Sequence, residues 1–335
     1  MNEAFSFEDV LIEPQYSDIE SRSEISISSR LGDSVFRLPI ISAPMDTVTE
    51  SAMVRAIGEC GGLGIIHRYN SIDHQVELVA SSAGLGIKRG AAVGVNGDFL
   101  ERAQALVAAG ARIICVDVAH GHHIKVKRAL GELKSVLPST VHLMAGNVAT
   151  LDAFNDLSDW GADSIRVGIG SGAVCSTRVQ TGHGMPTLQS VANCARSDRD
   201  AVLIADGGIR TSGDMVKALA AGADFVMLGS LLAGTDETPG DVIDTIEGQK
   251  KAYRGMASKE AQSDWRGSVS SIEGVAHVVP YRGPVSEVLN EMAVGIRSGL
   301  SYSGARSIQE LQARARFIRQ TGAGAVESAP HIKAR

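Results

Sequence analysis

VLIADGGIRTSGDMVKALAAGADFVMLGS, residues 202–230, carries the plan of the whole chain. An apolar run, Val202–Gly207, ends in glycines. A helical segment follows, with Met215, Leu219 and Ala220 at helical spacing, Asp214 and Lys217 in or near its first turn, and Gly222 as its stop. A second apolar run, Phe225–Ser230, ends in Gly-Ser. Short apolar runs bounded by turn residues read as buried strands, and a helix between two of them returns the chain so that they lie parallel. Working outward, the unit recurs. Further runs stand at Phe36–Met45, Leu63–His67, Ala91–Val95, Ile113–Val118, His142–Val148 and Ser164–Ile169, with helical patterns between them. One such pattern is Phe99, Ala103, Leu106 and Val107, stopped by Ala109-Gly110. Eight strands alternating with helices predict the α/β class and a closed (β/α)8 TIM barrel, which fills about 250 residues as one unit. Residues 1–335 therefore read as a single catalytic domain. In such a barrel the reactive groups sit where the strands end. Those ends hold Met45, Arg68, Asp117, Asn147, Gly170 to Cys175, Asp206 and Ser230.

The flanks read differently. Residues 1–35 are mixed and polar, an arm expected to close the bottom of the barrel. Residues 235–285 break the pattern with acidic loops, the run YRGMASKEAQ and a Ser/Gly-rich stretch at 267–271. A loop of that length reads as a lid or a disordered insert, and the mobile flap is placed at about 257–280. Ser286 to about Ser298 reads as the helix closing the eighth unit. A second helix, about Ser307 to Arg319, leads to a glycine-rich tail, 321–335. Net charge of −6 argues against nucleic-acid and anionic-membrane partners. No apolar run approaches the ~18 residues of a membrane span, and the N-terminus lacks a signal peptide's regions. Four cysteines without CxxC spacing are no disulfide framework, and the expectation is a reduced, cytoplasmic protein.

Cysteines are most often small buried residues, and Cys60, Cys115 and Cys194 fall in helix or strand patterns that fit this. Cys175 follows a strand end across three glycines, with Arg178 just beyond. Exposed backbone N–H groups and a nearby cation favour a nucleophilic thiolate. Asp206-Gly207-Gly208 and Gly229-Ser230 end adjacent strands, where barrels bind phosphate on glycine N–H groups. Asp206 can then accept from ribose hydroxyls, and a nucleoside monophosphate would extend its base toward the cysteine. Asp117 suits a second ribose. His120, His122 and His123 lack metal-site spacing, and no GxGxxG opens a helix, so a dinucleotide would bind without a Rossmann domain.

With these residues in place, the chain resembles the IMP dehydrogenase/GMP reductase family over essentially its whole length. The matching stretches are APMDTVTE (43–50), GLGIIHR (62–68), AGNVAT (145–150), VGIGSGAVCSTR (167–178), ADGGIR (205–210), MLGSLLAGT (227–235), YRGMASKEAQ (253–262) and VPYRGP (279–284). The regulatory modules that many dehydrogenases insert after strand two have no counterpart between His67 and Ala91. The resemblance implies Cys175 as the nucleophile that adds to purine C2, with Thr177 and Glu273 as its proton-handling partners. It implies that Asp206, Gly208, Gly229 and Ser230 hold ribose and phosphate, that Tyr253, Gly255 and Met256 meet phosphate and base, and that Met45 lies against the base. Asp117, Gly168 and Gly170 fall on the cofactor side. Gly170, Gly172 and the Cys175 carbonyl match the family's monovalent-cation (K+) loop, completed by Glu327 and Ser328 of a neighbouring subunit in a homotetramer.

Both chemistries of the family pass through a covalent C2 adduct, so the cysteine does not separate them. The family's dehydrogenases hydrolyse the adduct with an Arg-Tyr pair on a long flap. Here SDWRGSVSSIEGVAH (263–277) is short and carries Trp265-Arg266-Gly267 instead. That loss, SKEAQ, and Thr181-Gly182-His183-Gly184 resemble GMP reductase, which converts GMP to IMP and ammonia with NADPH. His67-Arg68, Asp117 to Gly121 and the TGAGAVES tail look more like IMP dehydrogenase, which converts IMP to XMP with NAD. Ala173 and Ser176 stand where the family usually has serine and threonine, which leaves open a modified purine nucleotide as substrate. A non-catalytic nucleotide-binding regulator is the alternative from another class; it would need no thiolate.

Overall fold

The computed structural model describes residues 3–269 and 272–328. The first two residues of the arm, Ser270-Ser271 of the flap stretch and the tail from 329 onward lie outside the described residues. Eight parallel strands close a barrel: β1 (Ile40–Ser42), β2 (Leu63–Ile66), β3 (Arg89–Val93), β4 (Ile113–Asp117), β5 (His142–Val148), β6 (Ser164–Val167), β7 (Val202–Asp206) and β8 (Phe225–Leu228). Pairing of Val226 with Ile40 and of Leu228 with Ser42 joins β8 to β1, leaving no open edge. The outer ring is α1 (Ser51–Glu59), α2 (Ile72–Ser81), α3 (Phe99–Ala108), α4 (Ile124–Val136), α5 (Leu151–Asp159), α6 (Thr187–Cys194), α7 (Ser212–Ala220) and α8 (Val285–Tyr302).

The quoted unit shows why these elements form. Thr211 caps α7 by accepting from the Asp214 N–H at 3.1 Å, and the Asp214 carboxylate accepts from the Thr211 N–H at 3.1 Å. Such a reciprocal cap stabilises a helix start by about 1 kcal/mol. Met215 and Leu219 are buried, and Gly222 takes φ +113° to end the element. Alternation along the strands divides the core in two. Ile40, Ile66, Val93 and Val116 face the helices, while Ile41, Ile65, Ala92, Cys115 and Met227 fill the barrel.

The flanks depart from the sequence reading in four places. The run Phe36–Met45 divides. Ser34–Phe36 pairs with Ser29–Leu31 as a hairpin, and Leu31 and Phe36 pack with the barrel interior, Phe36 edge-on to Phe225 at 5.8 Å. Pro39, which has no N–H, supplies only its carbonyl to Val226, so β1 starts after it. Residues 243–280 are not an irregular loop but an antiparallel sheet of Ile243–Thr245, Gly248–Arg254 and Ala276–Pro280, with helix Lys259–Arg266 inserted. The second C-terminal helix stops at Arg314, because Phe317–Arg319 pairs antiparallel with Val10–Ile12. Finally, part of the glycine-rich tail, Gly322–Glu327, is a short helix capped by Thr321, with no buried residue. Among the described residues no helix is long and apolar enough to cross a membrane.

Candidate active site

The carboxyl ends of the strands surround a cavity of about 340 Å3. Cys175, Thr177, Glu273, Met45, Asp206, Gly208, Gly229, Ser230, Tyr253, Gly255, Met256, Asp117 and Gly172 all line it.

The cysteine loop after β6 is clipped in place by the returning flap. The Ser176 N–H donates to the Glu273 carbonyl at 2.9 Å, and the Val275 N–H to the Val174 carbonyl at 3.0 Å. This brings a carboxylate 98 positions along the chain back to the thiol. Cys175 Sγ lies 3.2 Å from Thr177 Oγ1, which donates to Glu273 Oε2 at 2.8 Å. The three groups form a continuous path for a proton from sulfur to carboxylate.

At the opposite wall, Asp206 Oδ2 accepts from Asn147 Nδ2 at 2.8 Å and from Arg166 Nε and Nη2 at 3.1 and 2.8 Å. Arg166 Nη1 reaches Asp117 Oδ1 at 2.6 Å. Arg68 Nε stands 3.7 Å from Asp117 Oδ2. Two carboxylates thus share one buried guanidinium, which burial disfavours but their charges hold firmly protonated. Arg166 was not among the residues picked out by the sequence reading. The available signal was an arginine between Ile165 and Val167, since a buried strand cation needs a charge partner.

Close backbone approach shapes the cavity wall at the end of β8. A Cβ on Gly229 would stand 3.0 Å from both Met45 Sδ and the Tyr253 hydroxyl. Burial raises the pKa of the Tyr253 phenol by desolvation, so it stays a hydroxyl donor. Arg254 ties this strand to the β1 loop through Asp46, at 3.0 and 2.6 Å. On the other rim Trp265 of the flap helix stacks on Tyr69, rings 6.2 Å apart.

Four residues singled out in the sequence lie elsewhere. Gly168 does not line the cavity but packs on β7, where a Cβ would fall 1.9 Å from the Asp206 carbonyl oxygen. Gly170 lies beneath the Arg178 side chain. Glu327 and Ser328 are exposed, and the Ser328 hydroxyl is engaged by Gln320 and Gly324. No chemical step is assigned to a cation. The histidines have separate surroundings: His122 Nε2 is 2.7 Å from Asp156, and His123 caps α4.

The other cysteines differ chemically from Cys175. Burial pushes the Cys115 and Cys194 thiols up to about 12, and raises Cys60 as well. Two outcomes are expected. Iodoacetamide at neutral pH should label Cys175 first, as peptide mapping would show, and nucleotide should protect it. Stability held by the two buried thiols should be intact below about pH 9 and fall as pH rises toward 12, because only the unfolded chain ionises there. A melting temperature that is flat from pH 8.5 to 11 would contradict this.

Comparison with known proteins agrees with the geometry. The IMP dehydrogenase / GMP reductase domain matches residues 4–331. An inosine-5'-monophosphate dehydrogenase of Nitrosopumilus maritimus is 34% identical, covering 98% of each chain. One from Streptococcus pyogenes is 32% identical over 99% of this chain and 96% of its own. A crystal structure of a GMP reductase variant from Trypanosoma brucei, in complex with guanosine 5'-monophosphate, superimposes with a TM-score of 0.95 at 31% identity, covering 100% of this chain and 99% of its own. The chain belongs to the IMP dehydrogenase/GMP reductase family of nicotinamide-dependent purine oxidoreductases.

Proposed function

We propose that the protein is a GMP reductase, converting GMP to IMP and ammonia at the expense of NADPH. The observation that carries the reading is the Cys175–Thr177–Glu273 chain in a cavity that also presents Asp206. Ribose hydroxyls would donate to Asp206, and phosphate would rest on the Gly208 and Gly229-Ser230 backbone with the Tyr253 hydroxyl. As Cys175 Sγ bonds to C2, its proton passes through Thr177 to Glu273. The same path returns a proton to the amine at C2, the C–N bond breaks and ammonia leaves. A bound nicotinamide cofactor would supply the hydride for C2, and loss of the C–S bond would leave IMP and a free Cys175 thiolate. Asp117, which lines the cavity, would hold the cofactor ribose, with Arg68 beside it.

The short flap supports reduction over hydrolysis. It carries Trp265 stacked on Tyr69, and residues 263–277 contain no Arg-Tyr pair of the kind the family's dehydrogenases use. The T. brucei reductase with GMP bound points the same way. A second reading, IMP dehydrogenase using NAD, is favoured by the names of the curated relatives. Purified protein given GMP with NADPH, and separately IMP with NAD, separates the two by absorbance at 340 nm and ammonia release. Oxidation of NADPH with GMP alone is expected.

The working form is read as a cyclic homotetramer. Helix Gly322–Glu327 has no buried residue, which suits a tail that reaches the Gly170 loop of a neighbour. Light scattering at micromolar concentration should give four times the chain mass, and deletion of 321–335 should weaken assembly and abolish any response to K+. A monomer, or a deletion that changes neither, would refute the arrangement.

A further inference from the structure

We infer that Arg166 makes the two ligand sites of the cavity interdependent, so that a nucleotide ribose on Asp206 tightens binding of a dinucleotide ribose on Asp117. This rests on the functional reading above. Arg166 projects inward from β6 with its side chain 8% exposed, and it is divided between the two carboxylates. Nε and Nη2 are committed to Asp206 Oδ2, Nη1 to Asp117 Oδ1. Cys115 Sγ backs the same Nη1 at 3.6 Å, and Asn147 fixes the same Asp206 oxygen. Each carboxylate has therefore given one oxygen to the shared cation; the second oxygen of Asp117 lies 3.7 Å from Arg68 Nε, an ion pair beyond hydrogen-bond distance, so both carboxylates can still accept from a ligand hydroxyl.

A guanidinium is a rigid planar fork, so it cannot follow one carboxylate without shifting against the other. A diol that orders Asp206 orders Arg166, and through it Asp117. The entropy of fixing the triad is then lost once for two ligands, which gives positive coupling, and the coupling is reciprocal. A lysine ammonium, a single point donor, cannot span both carboxylates in this way.

The test uses pairs that cannot react: GMP with oxidised dinucleotide, and IMP with reduced dinucleotide. Calorimetry gives nucleotide affinity with and without saturating dinucleotide. In the wild type the dinucleotide should tighten the nucleotide by roughly five-fold or more. In Arg166→Lys and Asp117→Asn that ratio should fall to about one at dinucleotide concentrations shown by direct titration to saturate each variant. A merely structural role would move affinities and melting temperature without erasing the ratio. If Arg166→Lys does not fold, Asp117→Asn, at a partly exposed position, decides the matter. Independent binding in the wild type, or a ratio that survives in the variants, overturns the coupling alone. A protein that binds neither nucleotide overturns both the coupling and the function on which it rests.

Discussion

Cys175→Ala should lower turnover by roughly 10⁴-fold or more while nucleotide affinity stays within a few-fold of wild type. The sulfur is needed only for the bond to C2. Nucleotide binding is expected to come from Asp206, the glycine N–H groups and Tyr253, none of which depends on the thiol. The substitution removes one small atom at a partly exposed position, so folding should be spared. Cys115→Ala is the informative contrast. That side chain is fully buried in the barrel and lies against Arg166, so its loss should cost on the order of 1 kcal/mol or more in denaturant unfolding. Substantial turnover by Cys175→Ala would end the nucleophile assignment. Equal loss of binding and turnover would instead make Cys175 a contact residue.

The barrel was legible because its signals are local. Each strand is a short apolar run, each helix repeats at 3.6 residues, and stops such as Gly110 and Gly222 take φ of +105° and +113°, a region open to glycine at little cost. The site was legible for a related reason: in this fold position along the chain predicts position in space, since strand ends converge. Cys175, Asp206, Asp117 and Ser230 come from different strand ends and meet in one cavity.

The flap sheet was hidden by a lysine. Strand Gly248–Arg254 alternates, with Lys251 and Tyr253 inward, but a cation at an inward position masks the period of two. Lys251 is buried because its ammonium donates to the carbonyls of Thr235 and Thr238 at 3.1 and 2.6 Å, partners that come from the loop after β8. Burial lowers its pKa, and those carbonyls compensate. Arg166 escaped for the same reason, since its partners are 40 and 49 positions away. Phe317–Arg319 continues a helical pattern in the sequence, and its partner strand, Val10–Ile12, lies at the other end of the chain. In every case the missing information was the identity of a distant partner. Glu273 shows what family resemblance adds: alone it is one carboxylate in a polar stretch, and only the returning flap sets it at Thr177.

Glu273→Gln is therefore the change that bears most directly on the direction of the reaction. Glutamine has nearly the same shape and can still accept from Thr177, but its amide cannot take up a proton and return it. Reductive deamination requires a proton to reach the amine leaving C2, and Glu273 lies at the end of the only hydrogen-bonded path that runs from Cys175 Sγ among the described residues. The variant should lose roughly 10²–10⁴-fold in kcat for NADPH oxidation with GMP, with ammonia release falling in step. Its affinity for GMP should change little, because the expected ribose and phosphate partners, Asp206, Ser230 and Tyr253, belong to other strands. The KM-against-kcat split distinguishes this from a misplaced loop, which would weaken binding as well. Hydrolysis in the dehydrogenase makes a different demand: a base must activate water once the dinucleotide has left, and residues 263–277 offer no Arg-Tyr pair for it. If wild-type protein turns IMP and NAD into XMP and leaves GMP untouched, the flap does not decide the direction, and Glu273 serves the dehydrogenase reaction instead.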